Sequence, residues 1–123
     1  AALASLELME DGTAREGLEK KVQYLKERFE STAKKYGIPA VLNGRGGHFH
    51  WYFTDDVANY RDAASSNTAN YLTFANAMLE QGMMVIPKPL SHHAISVSHD
   101  DATIEKIVEA MDKALAKVAE QNK

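Results

Sequence analysis

The sequence predicts an α+β fold, in which a small, mainly antiparallel sheet carries helices packed on one of its faces. Three observations lead to this prediction. Four segments carry apolar residues at helical spacing, short apolar runs are bounded by glycine or proline, and one segment alternates strictly. The predicted order is helix, helix, strand, strand, helix, strand, strand, helix, which is typical of helices layered on one sheet.

The composition fits one domain and argues against several classes of function. The 123 residues are 45% hydrophobic and 25% charged, which is ordinary for a chain that buries a core. The net charge of −3 argues against a nucleic-acid partner, because sequence-independent binding needs a basic surface. No apolar run approaches the length of a membrane span, so we expect no membrane partner. The absence of cysteine excludes disulfides and thiolate metal sites and suits a cytoplasmic protein.

The first predicted helix begins without a start signal. Within residues 1–10, Leu3, Leu6 and Met9 recur three positions apart, yet no capping residue precedes them. This pattern is typical of a helix cut in its middle, so we expect the chain to be a fragment of a longer one.

The second predicted helix is long and amphipathic. It covers residues 14–36, Thr13 can cap it, and Gly37 ends it. Its apolar residues lie three and four positions apart, which places them on one stripe. They are Leu18, Val22, Leu25, Phe29, Ala33 and Tyr36.

The first two predicted strands form a hairpin. Residues 40–43 are the first strand, and the Gly-Arg-Gly-Gly of residues 44–47 is a turn. This turn resembles a phosphate-binding loop only loosely, because it joins two strands instead of preceding a helix. Residues 48–54 are the second strand, with two different faces. Phe49, Trp51 and Phe53 share one face, and His48, His50, Tyr52 and Thr54 share the other. Since the helices pack on the aromatic face, we expect something outside this chain to cover the polar one.

The second half of the chain has a similar organisation. After one helical turn at residues 57–60, Ser66 or Asn67 caps a helix that Gly82 ends. Residues 83–86 and 94–98 are short strands on either side of a proline loop, and Asp100 or Asp101 caps the last helix. The apolar stripes of these helices are Tyr71, Phe74, Ala75, Met78 and Leu79, and then Ile104, Ile107, Val108, Met111, Leu115 and Val118.

The proline loop is the first candidate for ligand contact. Pro87 and Pro89 each fix a backbone angle and restrict the preceding residue, so that Ser91, His92 and His93 are held in place. Polar loops on a rigid scaffold commonly carry binding residues. Nothing in the sequence indicates the desolvation that would make the loop's lysine a Schiff-base residue.

The histidines allow an alternative interpretation as a zinc site. His48 and His50 point to one side of a strand, and His92, His93 and His99 lie on or near neighbouring strands. No carboxylate or cysteine stands at a ligand spacing beside them. For His99, a hydrogen bond to a neighbouring backbone group is the better prediction.

Several motifs in a fixed order carry a resemblance to a known family. They are Gly46-Gly-His-Phe49, Phe53-Thr54, Tyr60-Arg-Asp-Ala63, the helix with Phe74, Met78, Leu79 and Gly82, and then Pro87, Ser96-Val-Ser-His99 and Ile104. In this order they resemble the C-terminal small domain of class III aminotransferases that depend on pyridoxal 5'-phosphate (PLP). The nearest likeness is to glutamate-1-semialdehyde 2,1-aminomutase and related aminotransferases.

The resemblance implies a homodimeric parent enzyme whose two domains have different roles. Residues 1–12 would be the end of an inter-domain helix and residues 13–123 the small domain, whereas the PLP-binding large domain is absent from this chain. This chain would then hold no catalytic residue and no covalently bound cofactor. Its share would be one wall of the pocket for a small amino-acid or amine substrate, with Ser91, His92 and His93 in contact with that substrate.

One position departs from the aminomutase pattern. A glutamate typically stands there where this chain has Ser91, and the two following small residues become His92 and His93. The departure favours an aminotransferase over an aminomutase. Two alternatives stay open at this point: a stand-alone binding or dimerisation module derived from this domain, and a histidine-rich metal-binding domain.

Overall fold

The computed structural model describes all 123 residues, and it confirms the α+β class with five helices and a three-stranded antiparallel sheet. In chain order the elements are α1 (Ala2–Met9), α2 (Thr13–Lys35), β1 (Val41–Arg45), β2 (His48–Tyr52), α3 (Tyr60–Ala64), α4 (Thr68–Glu80), β3 (His93–Ala94) and α5 (Asp101–Gln121). None of the helices combines the length and the apolar character that crossing a membrane requires.

The core lies where α2, α4 and α5 pack together against one side of the sheet. Phe29 of α2 meets Phe53 and Phe74 edge to face, with ring centroids 6.1 and 5.6 Å apart. Most residues of the predicted apolar stripes are buried, but Leu18 is half-buried and two others are exposed. Tyr36 and Leu79, at the ends of their stripes, are 41% and 58% exposed.

The helix boundaries follow local chemistry. Asn67 accepts a hydrogen bond from the Asn70 N–H and caps α4, and Asp100 accepts one from Thr103 and caps α5. Thr13 was expected to cap α2 but is its first residue, since Asp11 accepts from both its N–H and its hydroxyl. The short helical turn predicted at residues 57–60 lies later in the chain, at α3. Its start is fixed by Asn59 and Asp62, which form a capping box.

The predicted hairpin is confirmed. β1 and β2 pair antiparallel with Arg45 opposite His48. Gly46 and Gly47 form the two-residue turn with φ angles of 58° and 95°, which side chains rarely tolerate. The turn brings the polar side chains of both strands to one end of the sheet.

The prediction of a second pair of strands is mostly wrong. Residues 83–86 form no strand, and the predicted strand at residues 94–98 is reduced to β3. Side chains take the place of ladder partners: the Ile86 N–H donates to His93 Nε2 at 3.2 Å, and the Ser96 N–H donates to His99 Nδ1 at 3.1 Å. Local bonds of this kind compete with sheet pairing and end the strands early.

Candidate functional site

A polar cavity of about 280 Å³ lies between the β1–β2 hairpin and the loop of residues 87–93. Hairpin and loop face each other across it, as β2 lies between β1 and β3 in the sheet. Its lining residues are Asn43, Gly44, His48, Phe49, His50, Tyr52, Leu90, Ser91 and His92. Because none of these side chains is permanently charged, the cavity offers hydrogen bonds and ring surfaces instead of an ion pair.

Two side chains from elsewhere in the fold fix the loop at its start. The Tyr71 hydroxyl donates to the Ile86 carbonyl at 2.6 Å, and His93 Nε2 accepts from the Ile86 N–H. Both main-chain groups of one residue are therefore held by side chains, one from α4 and one from the far end of the loop. Within the loop, Leu90 has a φ of 63°, a conformation that is strained for a residue with a side chain. The loop is a fixed structure that holds one backbone position under strain.

Four imidazoles gather at this end of the sheet in two pairs. His48 and His92 are exposed with ring centroids 5.6 Å apart, whereas the rings of His50 and His93 stack at 5.4 Å and 14°. Burial, and then the adjacent His93, lowers the pKa of His50 to about 4. Burial, and then His92, lowers the pKa of His93 to about 4. The stacked pair is thus neutral near pH 7, and His93 carries its proton on Nδ1 because its Nε2 accepts.

His50 corrects the prediction of an uncovered polar face. It is only 5% exposed, because Tyr71 and His93 cover its ring at 5.0 and 5.4 Å. The chain's own loop, returning from α4, supplies this cover. His48 is exposed, whereas Tyr52 and Thr54 are half-buried, so the prediction fits His48 and holds only in part for the other two.

The structure separates the three predicted contact residues. Ser91 and His92 line the cavity, but His93 stands behind them with its ring against His50 and Trp51. Asn43 was not predicted from the sequence as a lining residue. Its position next to the glycine turn could have indicated that role. Tyr71 was not predicted as a loop anchor, because it was counted only as an apolar residue of its helix and its hydroxyl was not considered.

The zinc alternative has no geometry to support it. No three histidine, aspartate or glutamate side chains converge as a metal site would require. His99 instead accepts the Ser96 N–H, which confirms the prediction for that residue.

The cavity does not fit a resident PLP. No lysine lines it to form a Schiff base, and no arginine or helix N-terminus lines it to hold a phosphate. Lys88 is exposed on the outside of the loop. The chemistry of these residues suits contact with a small polar molecule held partly by other groups.

Comparison with known proteins shows similarity in sequence to aminomutases and in fold to transaminases. The chain is 33% identical over 107 residues to the glutamate-1-semialdehyde 2,1-aminomutase of Fusobacterium nucleatum, and 36% identical over 110 residues to that of Desulfitobacterium hafniense. These matches cover 85% and 89% of this chain. The predicted resemblance is confirmed. No protein-family model matches the chain.

The fold comparison agrees. A transaminase solved with PLP bound superposes with a TM-score of 0.77 and 21% identity, over 97% of this chain and 26% of that structure. The chain spans about a quarter of the length of the curated relatives that it matches. The likeness therefore concerns one part of a much longer enzyme.

Proposed function

We propose that residues 13–123 are the C-terminal small domain of a PLP-dependent aminotransferase or aminomutase, and that residues 1–12 end its inter-domain helix. The observation that carries the proposal is the similarity of nearly the whole chain to about a quarter of each aminomutase. PLP, bound by the large domain, would act as the electron sink of the reaction. The cavity of this chain lacks a lysine for that role, so we expect the chain by itself to be inert. A cytoplasmic homodimer is part of the same proposal.

The cavity suits one wall of a substrate pocket. Ser91 and His92 stand on a loop that Tyr71 and His93 anchor, and His48 faces them from the hairpin. Of the three predicted contact residues, Ser91 and His92 would therefore touch a small amino-acid or amine substrate. His93 would not touch the substrate but would hold the loop that carries Ser91 and His92 in position. A substrate carboxylate would need a cationic partner outside this chain, because the wall has none.

Ser91 bears on the choice between transamination and isomerisation. The two relatives described above are aminomutases, whereas the aminomutase pattern has a glutamate where this loop has a serine. A serine hydroxyl can hydrogen-bond a substrate but cannot bear a negative charge beside an amine near pH 7. This difference supports an aminotransferase.

The proposal is tested on the protein purified from its natural source. We expect an intact mass well above 13.6 kDa and a visible absorbance that responds to added amines. A mass of 13.6 kDa from an equally short reading frame would leave the stand-alone binding module as the better interpretation.

The wall is tested in that longer enzyme with His92→Ala and Ser91→Ala. Loss of one hydrogen bond to a substrate should raise KM for the amino donor about 10-fold. Ser98→Ala is the matched control, because Ser98 is exposed, lies outside the cavity and makes no hydrogen bond through its hydroxyl. Unchanged KM and kcat in both loop variants would contradict the assignment of the wall.

A further inference from the structure

The two segments predicted as a second pair of strands lie on either side of a cavity instead of against each other. This cavity, of about 450 Å³, has residues 82–86 along one rim and residues 92–95 along the other. Trp51, Met78 and Ile107 line it from the core. We refer to it as the sheet gap.

The β3 rim of the sheet gap presents free main-chain groups. The Ile95 N–H donates to the Gly47 carbonyl at 2.9 Å, which directs the main chain of Ile95 toward the hairpin. Because successive residues of a strand direct their N–H and C=O groups to opposite sides, those of Ala94 point away from β2. Ala94 is exposed and lines the sheet gap. β3 is therefore an open edge there.

The opposite rim also lacks partners. The N–H and C=O groups of Met84 and Val85 take part in no hydrogen bond. Their side chains alternate as in a strand, since Val85 is 5% exposed and Met84 is 90% exposed. Main-chain groups of a strand commonly pair with a neighbouring strand, and these have none within the chain. This rim has the pattern of a strand without its neighbour.

Two buried side-chain donors line the same cavity. Trp51 Nε1 and His93 Nδ1 are buried and have no hydrogen-bond partner. The Nδ1 of His93 must be a donor, because Nε2 already accepts from Ile86. Buried unpaired donors are costly and rare. The chain itself supplies no acceptor for either donor.

We propose that the sheet gap receives an extended segment from the part of the parent protein outside residues 1–123. This inference rests on the proposed function, under which about three quarters of the enzyme lies outside this chain. The segment adds a strand between Ala94 and residues 84–85 and places apolar side chains against Trp51. A small apolar ligand would leave both rims unpaired, whereas strand addition pairs them.

Hydrogen exchange tests the proposal directly. The amides of Met84, Val85 and Ala94 are measured in the 123-residue chain and in the purified parent enzyme. We expect exchange at least about 100-fold slower in the parent at one or more of these amides on each rim. The amide of Met111, buried in α5 of this chain, is the internal reference. Equal rates in both proteins at either rim would overturn the proposal.

A proline substitution provides a second test. Ala94→Pro removes an N–H that faces away from β2, and proline is tolerated on an edge strand of this kind. It should leave the urea midpoint of the 123-residue chain unchanged and lower that of the parent, where Ala94 is no longer at an edge. Ala94→Val is the control, since it keeps the N–H. Equal shifts in the two proteins would contradict strand addition.

The outcomes separate this proposal from the one on which it rests. A longer parent that lacks PLP absorbance but protects these amides would refute the enzymatic function and keep the strand. A PLP enzyme in which these amides are unprotected would keep the enzymatic function and refute the added strand. A natural protein of 13.6 kDa that protects these amides only on self-association would overturn the proposal in favour of a second copy as the occupant.

Discussion

At the scale of single residues, Tyr71 connects the core to the candidate wall. Its ring is 1% exposed on α4, and its hydroxyl reaches the Ile86 carbonyl, where the loop begins. Burial raises the pKa of Tyr71 to about 12, so the hydroxyl stays a donor at any ordinary pH. A residue of an apolar stripe thus also anchors the start of the candidate loop.

Tyr71→Phe should destabilise the protein by about 1–2 kcal/mol, the usual cost of removing one buried hydrogen bond. The cost stays moderate because the Ile86 carbonyl also accepts from the Lys88 N–H at 2.8 Å. Urea unfolding measures the change. Tyr60→Phe is the matched control, since Tyr60 is 76% exposed, and equal effects of the two substitutions would contradict the anchoring role.

At the scale of elements, the β1–β2 hairpin depends on close approach of its two strands. A Cβ at Gly44 would overlap the His48 carbonyl oxygen and the Phe49 Cβ, and would lie 2.7 Å from the Phe49 Cα. Glycine is therefore needed at this position for lack of space, whereas the turn glycines are needed for their backbone angles.

Gly44→Ala should cost about 2–4 kcal/mol, because the backbone of β2 must shift to make room. Gly17→Ala should instead stabilise the protein. No atom lies within 4 Å of a Cβ at Gly17, and alanine in a helix interior is favoured over glycine by about 0.5–1 kcal/mol. Thermal unfolding of the two variants would show this contrast, and a similar loss in both would count against the packing argument.

At the scale of the whole molecule, the stacked pair His50 and His93 links folding to pH. The pKa of each is lowered to about 4 in the folded chain and rises to its ordinary value of about 6.5 on unfolding. Between those values the unfolded chain binds more protons than the folded one. Stability is therefore complete above pH 6.5 and declines as the pH falls toward 4.

Stability should fall by on the order of 5 kcal/mol between pH 6.5 and 4, about half of it from each histidine. Urea unfolding across this range measures the decline. In His93→Gln, whose amide oxygen can still accept from Ile86, the decline should be smaller because one titrating group is gone. A profile as steep as that of the natural sequence would show that other groups are responsible.

The sequence by itself determined the local structure. Apolar stripes at helical spacing specified the three long helices, and the glycine turn specified the hairpin. The candidate caps, Ser66 or Asn67 and Asp100 or Asp101, placed two helix starts to within one residue. These features depend on side-chain spacing and on backbone angles within a few residues, which the sequence shows directly. The same local character let the proline loop stand out as a candidate site.

Only the tertiary structure decided which backbone groups find partners. Tyr71 bonds to the Ile86 carbonyl 15 positions away, and His93 takes the N–H of the same residue. The rings of these two residues cover His50, and their bonds hold Ile86 where a short apolar run had predicted a strand. Alternation shows that a segment can be a strand, but pairing depends on where distant parts of the chain come to lie. For residues 83–86, the proposed neighbour lies outside this chain altogether.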